Sequence, residues 1–138
     1  MTKSRQLFLF LLALAGCGGD GDTVANLDPT LTSIQTNVFN KSCALVSCHN
    51  STAAQGGLKL TQGDSFGEIV NIAAENSAAA ADGKLRVVPG DPGASFLIQK
   101  LEGPGAGEGD LMPQSSSGLD SEIIAVIRQW IADGALNN

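Results

Sequence analysis

The stretch "CALVSCHN" places Cys43, Cys48 and His49 within seven residues, and these are the side chains in the sequence best suited to chemistry. Covalent haem attachment asks for two thiols that reach two vinyl groups on a rigid ring, and for an imidazole just beyond the second thiol that binds the iron. Cys48-His49 has that adjacency. The spacer is four residues where the standard C-x-x-C-H signal has two, so the same geometry requires the extra residues to bulge outward. Three other chemistries fit the same residues. A 43–48 disulfide would close a small loop but leave His49 without a task. A structural zinc site would have two thiolates, one imidazole and a carboxylate still to be found. A Cys-His nucleophilic pair lacks a third orienting group.

The rest of the sequence narrows this choice by scarcity. The chain has one histidine, and beyond Met1 its one methionine is Met112. An iron held by one histidine and one thioether needs one of each. Met112 lies in "DLMPQ", where Pro113 restricts an otherwise glycine-rich loop. The plainer alternative is that Met112 is an apolar residue closing that loop.

The start of the chain bears on where this chemistry would happen. Lys3 and Arg5 precede the apolar run "LFLFLLALA", which is too short to span a bilayer and has the pattern of a signal peptide over residues 1–16. "LALAGCGG" then resembles a lipobox, which makes Cys17 the candidate for acylation. An ordinary signal peptide with Cys17 left as a stray thiol is the alternative. The expectation is an exported protein, lipid-anchored to a bacterial membrane and facing the periplasm or cell exterior. Residues 17–27, "CGGDGDTVANL", form a tether, and residues 28–138 form one domain. The net charge of −6 becomes −8 when Lys3 and Arg5 leave with the leader. That balance argues against nucleic acid and for protein partners with basic patches.

Four stretches must position these residues, each with helical spacing of apolar side chains. The first opens at Asp28-Pro29, with Leu31, Ile34, Val38 and Phe39 on one face, and runs into Cys43. The second is "DSFGEIVNIAAE", capped by Asp64. The third, "DPGASFLIQKLEG", has Asp91 as cap, Pro92 in the first turn and Gly103 as stop. The fourth, "LDSEIIAVIRQWIADGA", has Asp120 as cap, a stripe of Ile123, Ile124, Ile127, Trp130 and Ile131, and Gly134 at its end. No stretch alternates as a strand does. "NSAAAADG" reads as a helix end and turn, and "RVVPGDP" as a short extended piece or a turn. The connections "NSTAAQGGLKLTQG" and "GPGAGEGDLMPQSSSG" are long for a compact domain unless they wrap a ligand. Beyond the leader the aromatic residues are Phe39, Phe66, Phe96 and Trp130, so a bound group is expected to supplement the core.

With these residues in view, the sequence resembles the bacterial cytochrome c-like lipoproteins and the related c-type domains of planctomycete-type proteins. The resemblance covers most of the chain after the leader. It is carried by "IQTNVFNKSCALVSCHN", "GGLKL", "RVVPGDPGASFLIQKL", "LMP" and "IIAVIRQWIADGA". It implies an all-α, cytochrome c-like fold of about four helices around one covalently bound haem c, with the first and last helices crossing. Cys43 and Cys48 would carry the thioether links, His49 would be the proximal ligand and Met112 the distal one. Many c-type cytochromes have a proline soon after the histidine, whose carbonyl orients the imidazole. Here none follows until Pro89. Arg86 and Lys84 suit haem propionates, although each alone reads as a solvated surface side chain. The function implied is single-electron transfer between extracytoplasmic redox partners, not enzyme catalysis. The alternatives are a disulfide-stapled lipoprotein acting as a binding or assembly module, and a haem sensor or enzyme with an exchangeable distal site.

Overall fold

A computed structural model describes residues 27–114 and 117–138. The proposed leader, Cys17 and nearly all of the tether lie outside the described residues.

The first helix does not start where its sequence suggests. Thr30, not Asp28, is the cap, its Oγ1 accepting from Ser33 N–H at 3.2 Å. Asp28-Pro29 forms the approach to it. Helix α1, Leu31–Ile34, continues without a break into a wider π-helical stretch, Gln35–Cys43, and Ala44 N–H donates five residues back to Phe39 O at 2.7 Å. Asn138 serves the N-terminus of α1 from the far end of the chain. Its Oδ1 accepts from Leu31 N–H and its carbonyl from Thr32 N–H, at 3.0 and 2.8 Å, taking up donors that a helix start leaves unpaired.

Helix α2, Ser65–Ile69, is a single short stretch, and Asp64 at its start binds Thr61 Oγ1 at 2.6 Å in place of a cap bond. The alanine-rich segment forms a separate helix, α3, Ser77–Ala81, because the Asn76 side chain accepts from both Ala78 N–H and Ala79 N–H. Helix α4, Phe96–Glu102, begins after Ser95, while Asp91 binds Ala94 N–H and shapes the turn before it. Helix α5, Ser121–Ala132, matches its sequence pattern, with Asp120 capping Glu122 N–H at 2.8 Å.

The described residues are helix-rich and contain isolated β-bridges but no strand. The bridges show that "RVVPGDP" is extended at its start. Residues 84–87 lie between two segments: Asn71 N–H and Ala74 N–H donate to the carbonyls of Val87 and Lys84 on one side, and Phe96 N–H and Leu97 N–H to Leu85 and Arg86 on the other. One core joins both ends of the domain. Ile34, Val38 and Phe39 from the first helix and Ile127, Trp130 and Ile131 from α5 are all buried in it. Each large side chain of this kind contributes about 1.5–3 kcal/mol by leaving water. No helix among the described residues is long and apolar enough to cross a membrane.

Candidate functional site

The spacer in "CALVSCHN" bulges outward. Leu45 is 45% and Val46 86% exposed, whereas Cys43, Cys48 and His49 are half-buried. Two backbone bonds draw the ends of the bulge together: Cys48 N–H donates to Leu45 O at 2.9 Å and His49 N–H to Cys43 O at 3.1 Å. The four-residue spacer thus brings both sulfurs and the imidazole to one cavity. The thiols are unbridged. Burial, with Cys48 alongside, pushes the Cys43 thiol up to about 12, which leaves it protonated and poorly nucleophilic near neutral pH. Among the described residues no three His, Cys, Asp or Glu side chains come together as a group that could hold a metal ion.

The cavity measures about 700 Å³, within the range of small-molecule and cofactor sites. Cys43, Cys48 and His49 line it together with Met112, although Met112 lies more than sixty residues further along the chain. Apolar side chains from widely separated segments complete it, among them Phe39, Leu60, Ile69, Phe96, Leu101 and Ile127. Both long glycine-rich connections contribute, the first through Gln55 and Gly56 and the second through residues 108–110 and 112–114.

His49 has an unusual environment. Its Nδ1 is buried without a hydrogen-bond partner, so Nε2 is the nitrogen left on the accessible side. Burial holds the imidazole below its ordinary value; the backbone of Gln55 and Leu58 opposes this, and the charges of Arg86 and Lys100 reinforce it. The segment after His49 is tied back to the backbone beside the ring, by Gln55 N–H to Cys48 O at 3.0 Å and by Leu60 N–H to His49 O at 2.7 Å. Leu60 is fixed in turn by the buried Gln35, whose Nε2 donates to Leu60 O at 2.8 Å and whose Oε1 accepts from Ser65 Oγ at 2.6 Å.

Arg86 is not a solvated surface residue. Its side chain is only 8% exposed, and its guanidinium donates to the carbonyls of Glu68, Gly56 and Gly57 at 2.7, 3.4 and 3.2 Å. The carboxylates of Glu68 and Glu75 lie 3.6 and 3.5 Å from it. A lone arginine in sequence carries no sign of this, because its partners come from three separate segments.

Lys84 is held as well. It pairs with Glu108 and donates to Gln99 Oε1 at 2.9 Å, with its ammonium 5.9 Å from the centre of the Phe96 ring. Glu108 is buried, and its Oε2 accepts from Gly105 N–H at 2.6 Å. Lys100 Nζ donates to Glu108 O at 2.9 Å and also to Asp110 O, while Lys100 O accepts from Met112 N–H at 2.7 Å. Two lysines and one glutamate therefore hold the methionine loop against α4. Sequence reading missed Glu108 and Lys100, although an isolated glutamate and aspartate among so many glycines were the available signal.

No family model, curated protein or solved structure matches this chain.

Proposed function

We propose that this protein is a c-type cytochrome that carries single electrons and is tethered to a membrane through Cys17. The observation that carries the proposal is the convergence of Cys43, Cys48, His49 and Met112 on one largely apolar cavity of about 700 Å³. The residues fit a covalently held haem in number and kind. Two unbridged thiols and an imidazole with its Nδ1 buried line the cavity, and a thioether comes from a loop that the fold holds in place.

When bound, the haem would supply reversible one-electron chemistry. The residues of the chain would perform the remaining tasks. Cys43 and Cys48 would anchor the ring covalently, and His49 and Met112 would supply the imidazole and thioether that hold the iron. The apolar lining excludes water, and a thioether as second ligand favours a higher potential than a second imidazole would give. The outward bulge at Leu45 and Val46 accommodates the four-residue spacer without displacing either cysteine. The acidic chain, −6 overall, suits redox partners with basic docking surfaces and disfavours nucleic acid.

Protein produced with a c-type maturation system should be coloured and should retain its haem through denaturing electrophoresis. A Met112→Ala variant should keep the covalent haem, bind carbon monoxide more readily than wild type and have a lower potential. Wild type binding carbon monoxide as readily as the variant would point to an exchangeable distal site, as in a sensor or enzyme. A colourless product with a 43–48 disulfide would point to a non-redox module. Intact mass of the membrane fraction should show a chain starting at an acylated Cys17.

A further inference from the structure

The connection that carries Met112 has little structure of its own. It leaves α4 at Gly103, and Gly107 and Gly109 have φ of +80° and +78°, conformations that favour glycine. A chain of this kind can present its side chains in many ways. Even so, Met112 is half-buried on the cavity wall, while its neighbour Leu111 is exposed. A slip of one residue would exchange them, so something outside the loop must select its register.

One residue of α4 binds the loop at three alternate positions. Lys100 Nζ donates to Glu108 O at 2.9 Å and to Asp110 O, and Lys100 O accepts from Met112 N–H at 2.7 Å. Hydrogen bonds from an ammonium are stronger than those between neutral groups. The Lys100 carbonyl lies in the last turn of its helix, so the bond from Met112 satisfies an acceptor that the helix leaves unpaired. Lys100 is itself well anchored, because Ile98 and Leu101 beside it in α4 are buried in the core. Gly109 lies between the two gripped carbonyls, and a Cβ there would stand 3.5 Å from Nζ. Lys84, by contrast, holds the Glu108 side chain.

We propose that Lys100 is a positioning residue for Met112: by binding the backbone of residues 108, 110 and 112 together it sets the register of the loop and keeps the thioether in the cavity. The consequence for an iron ligand rests on the haem reading, while the grip on the loop does not. A ligand that is in place for only part of the time binds more weakly by that fraction. Loosening the loop should therefore open the distal side to other ligands with Met112 still present.

Lys100→Leu removes both ammonium bonds and leaves the backbone carbonyl. In the full chain, hydrogen exchange at one pH should show the Met112 and Glu108 amides losing protection by about tenfold or more, while the amides of Gln55, Leu60 and α5 keep theirs. Lys100→Gln, with a shorter neutral donor, should show a smaller loss and gives the same test if the leucine variant does not fold. In the haem-loaded chain, Lys100→Leu should raise carbon monoxide affinity by about tenfold or more over wild type, and the same substitution added to Met112→Ala should leave it unchanged. That non-additivity marks a residue acting through Met112. Unchanged loop protection in the Lys100 variants overturns the proposal. An equal gain in carbon monoxide affinity with and without Met112 also overturns it, because Lys100 would then act directly from its place on the cavity wall. A chain that takes up no haem, or whose haem binds carbon monoxide as readily as Met112→Ala, yet loses loop protection in Lys100→Leu overturns the electron-carrier reading and supports the grip.

Discussion

Around His49 the chain is held by one buried guanidinium, whereas around Met112 it is held by two partly exposed lysines and a carboxylate. The two walls of the cavity need different kinds of restraint because their backbones differ. The histidine wall has backbone bonds of its own, from Gln55 to Cys48 and from Leu60 to His49, and Arg86 adds a rigid fork that fixes several carbonyls together. The methionine wall is a loop with glycine at 103, 105, 107 and 109, which is joined to α4 by one backbone bond, Met112 N–H to Lys100 O, and by the side chains of Lys100 and Lys84. Charges near water are screened and their pairs contribute little, while a buried charge that loses its partners is heavily penalised. The histidine side is therefore expected to be the stiffer half of the site and the methionine side the adjustable one.

The largest expected effect removes the foundation the two walls share. Trp130 is buried between the ends of the domain, and its Nε1 donates to Leu136 O at 2.9 Å. Trp130→Ala should cost about 3–5 kcal/mol, and denaturant unfolding should show both walls failing together. If the methionine loop survived that loss with unchanged exchange rates, the walls would not share a core.

A smaller change should affect one wall alone. Asn76 caps α3 through Oδ1 and also donates from Nδ2 to Gly107 O at 3.2 Å, which joins that helix to the methionine loop. Asn76→Ala should lower stability by about 1 kcal/mol. Hydrogen exchange should rise in α3 and around residues 103–111, with the amides of Gln55 and Leu60 unaffected.

Acid should separate the walls without any substitution. Lys84 pairing, helped by Gly105 N–H, holds the Glu108 carboxyl below its ordinary value near 4.5. A carboxyl depressed in the folded state stabilises fully above its unfolded value, and that contribution is lost as pH falls through the lower folded value. Protection of the methionine-loop amides, measured relative to the intrinsic exchange rate at each pH, should fall as pH drops below about 4.5, the unperturbed value, and Glu108→Gln should show the looser loop already at neutral pH. An identical pH profile in wild type and Glu108→Gln would show that this pair does not hold the loop.

The smallest effect is expected at Glu102 and Arg128, which join α4 to α5 by two bonds of 2.7 and 2.6 Å on the surface. The guanidinium hydrogen bonds keep the Glu102 carboxyl below its usual range. Because both side chains are well exposed, Glu102→Gln should cost about 0.2–1 kcal/mol in a thermal melt and should leave both walls alone.

The sequence by itself determined the elements whose causes are local. The stripe of Ile124, Ile127, Trp130 and Ile131 behind Asp120 specified α5, since period and cap chemistry act within a few residues. The outward bulge of the four-residue spacer was legible too, because Cys43, Cys48 and His49 can share one cavity only if Leu45 and Val46 leave it. Start points were read less well. Asp28-Pro29 and Asp91-Pro92 look like caps, but the chain uses Thr30 and Ser95, since the position of each first turn is set by packing and, for α1, by Asn138 from the opposite end. Only the tertiary structure decided the fates of Arg86, Lys84, Lys100 and Glu108. Burying a charge is favourable only when several distant partners converge on it, and Glu68, Glu75, Gly56 and Gly57 meet Arg86 only after the chain has folded. That convergence depends on where the backbone goes, which no spacing within the sequence encodes.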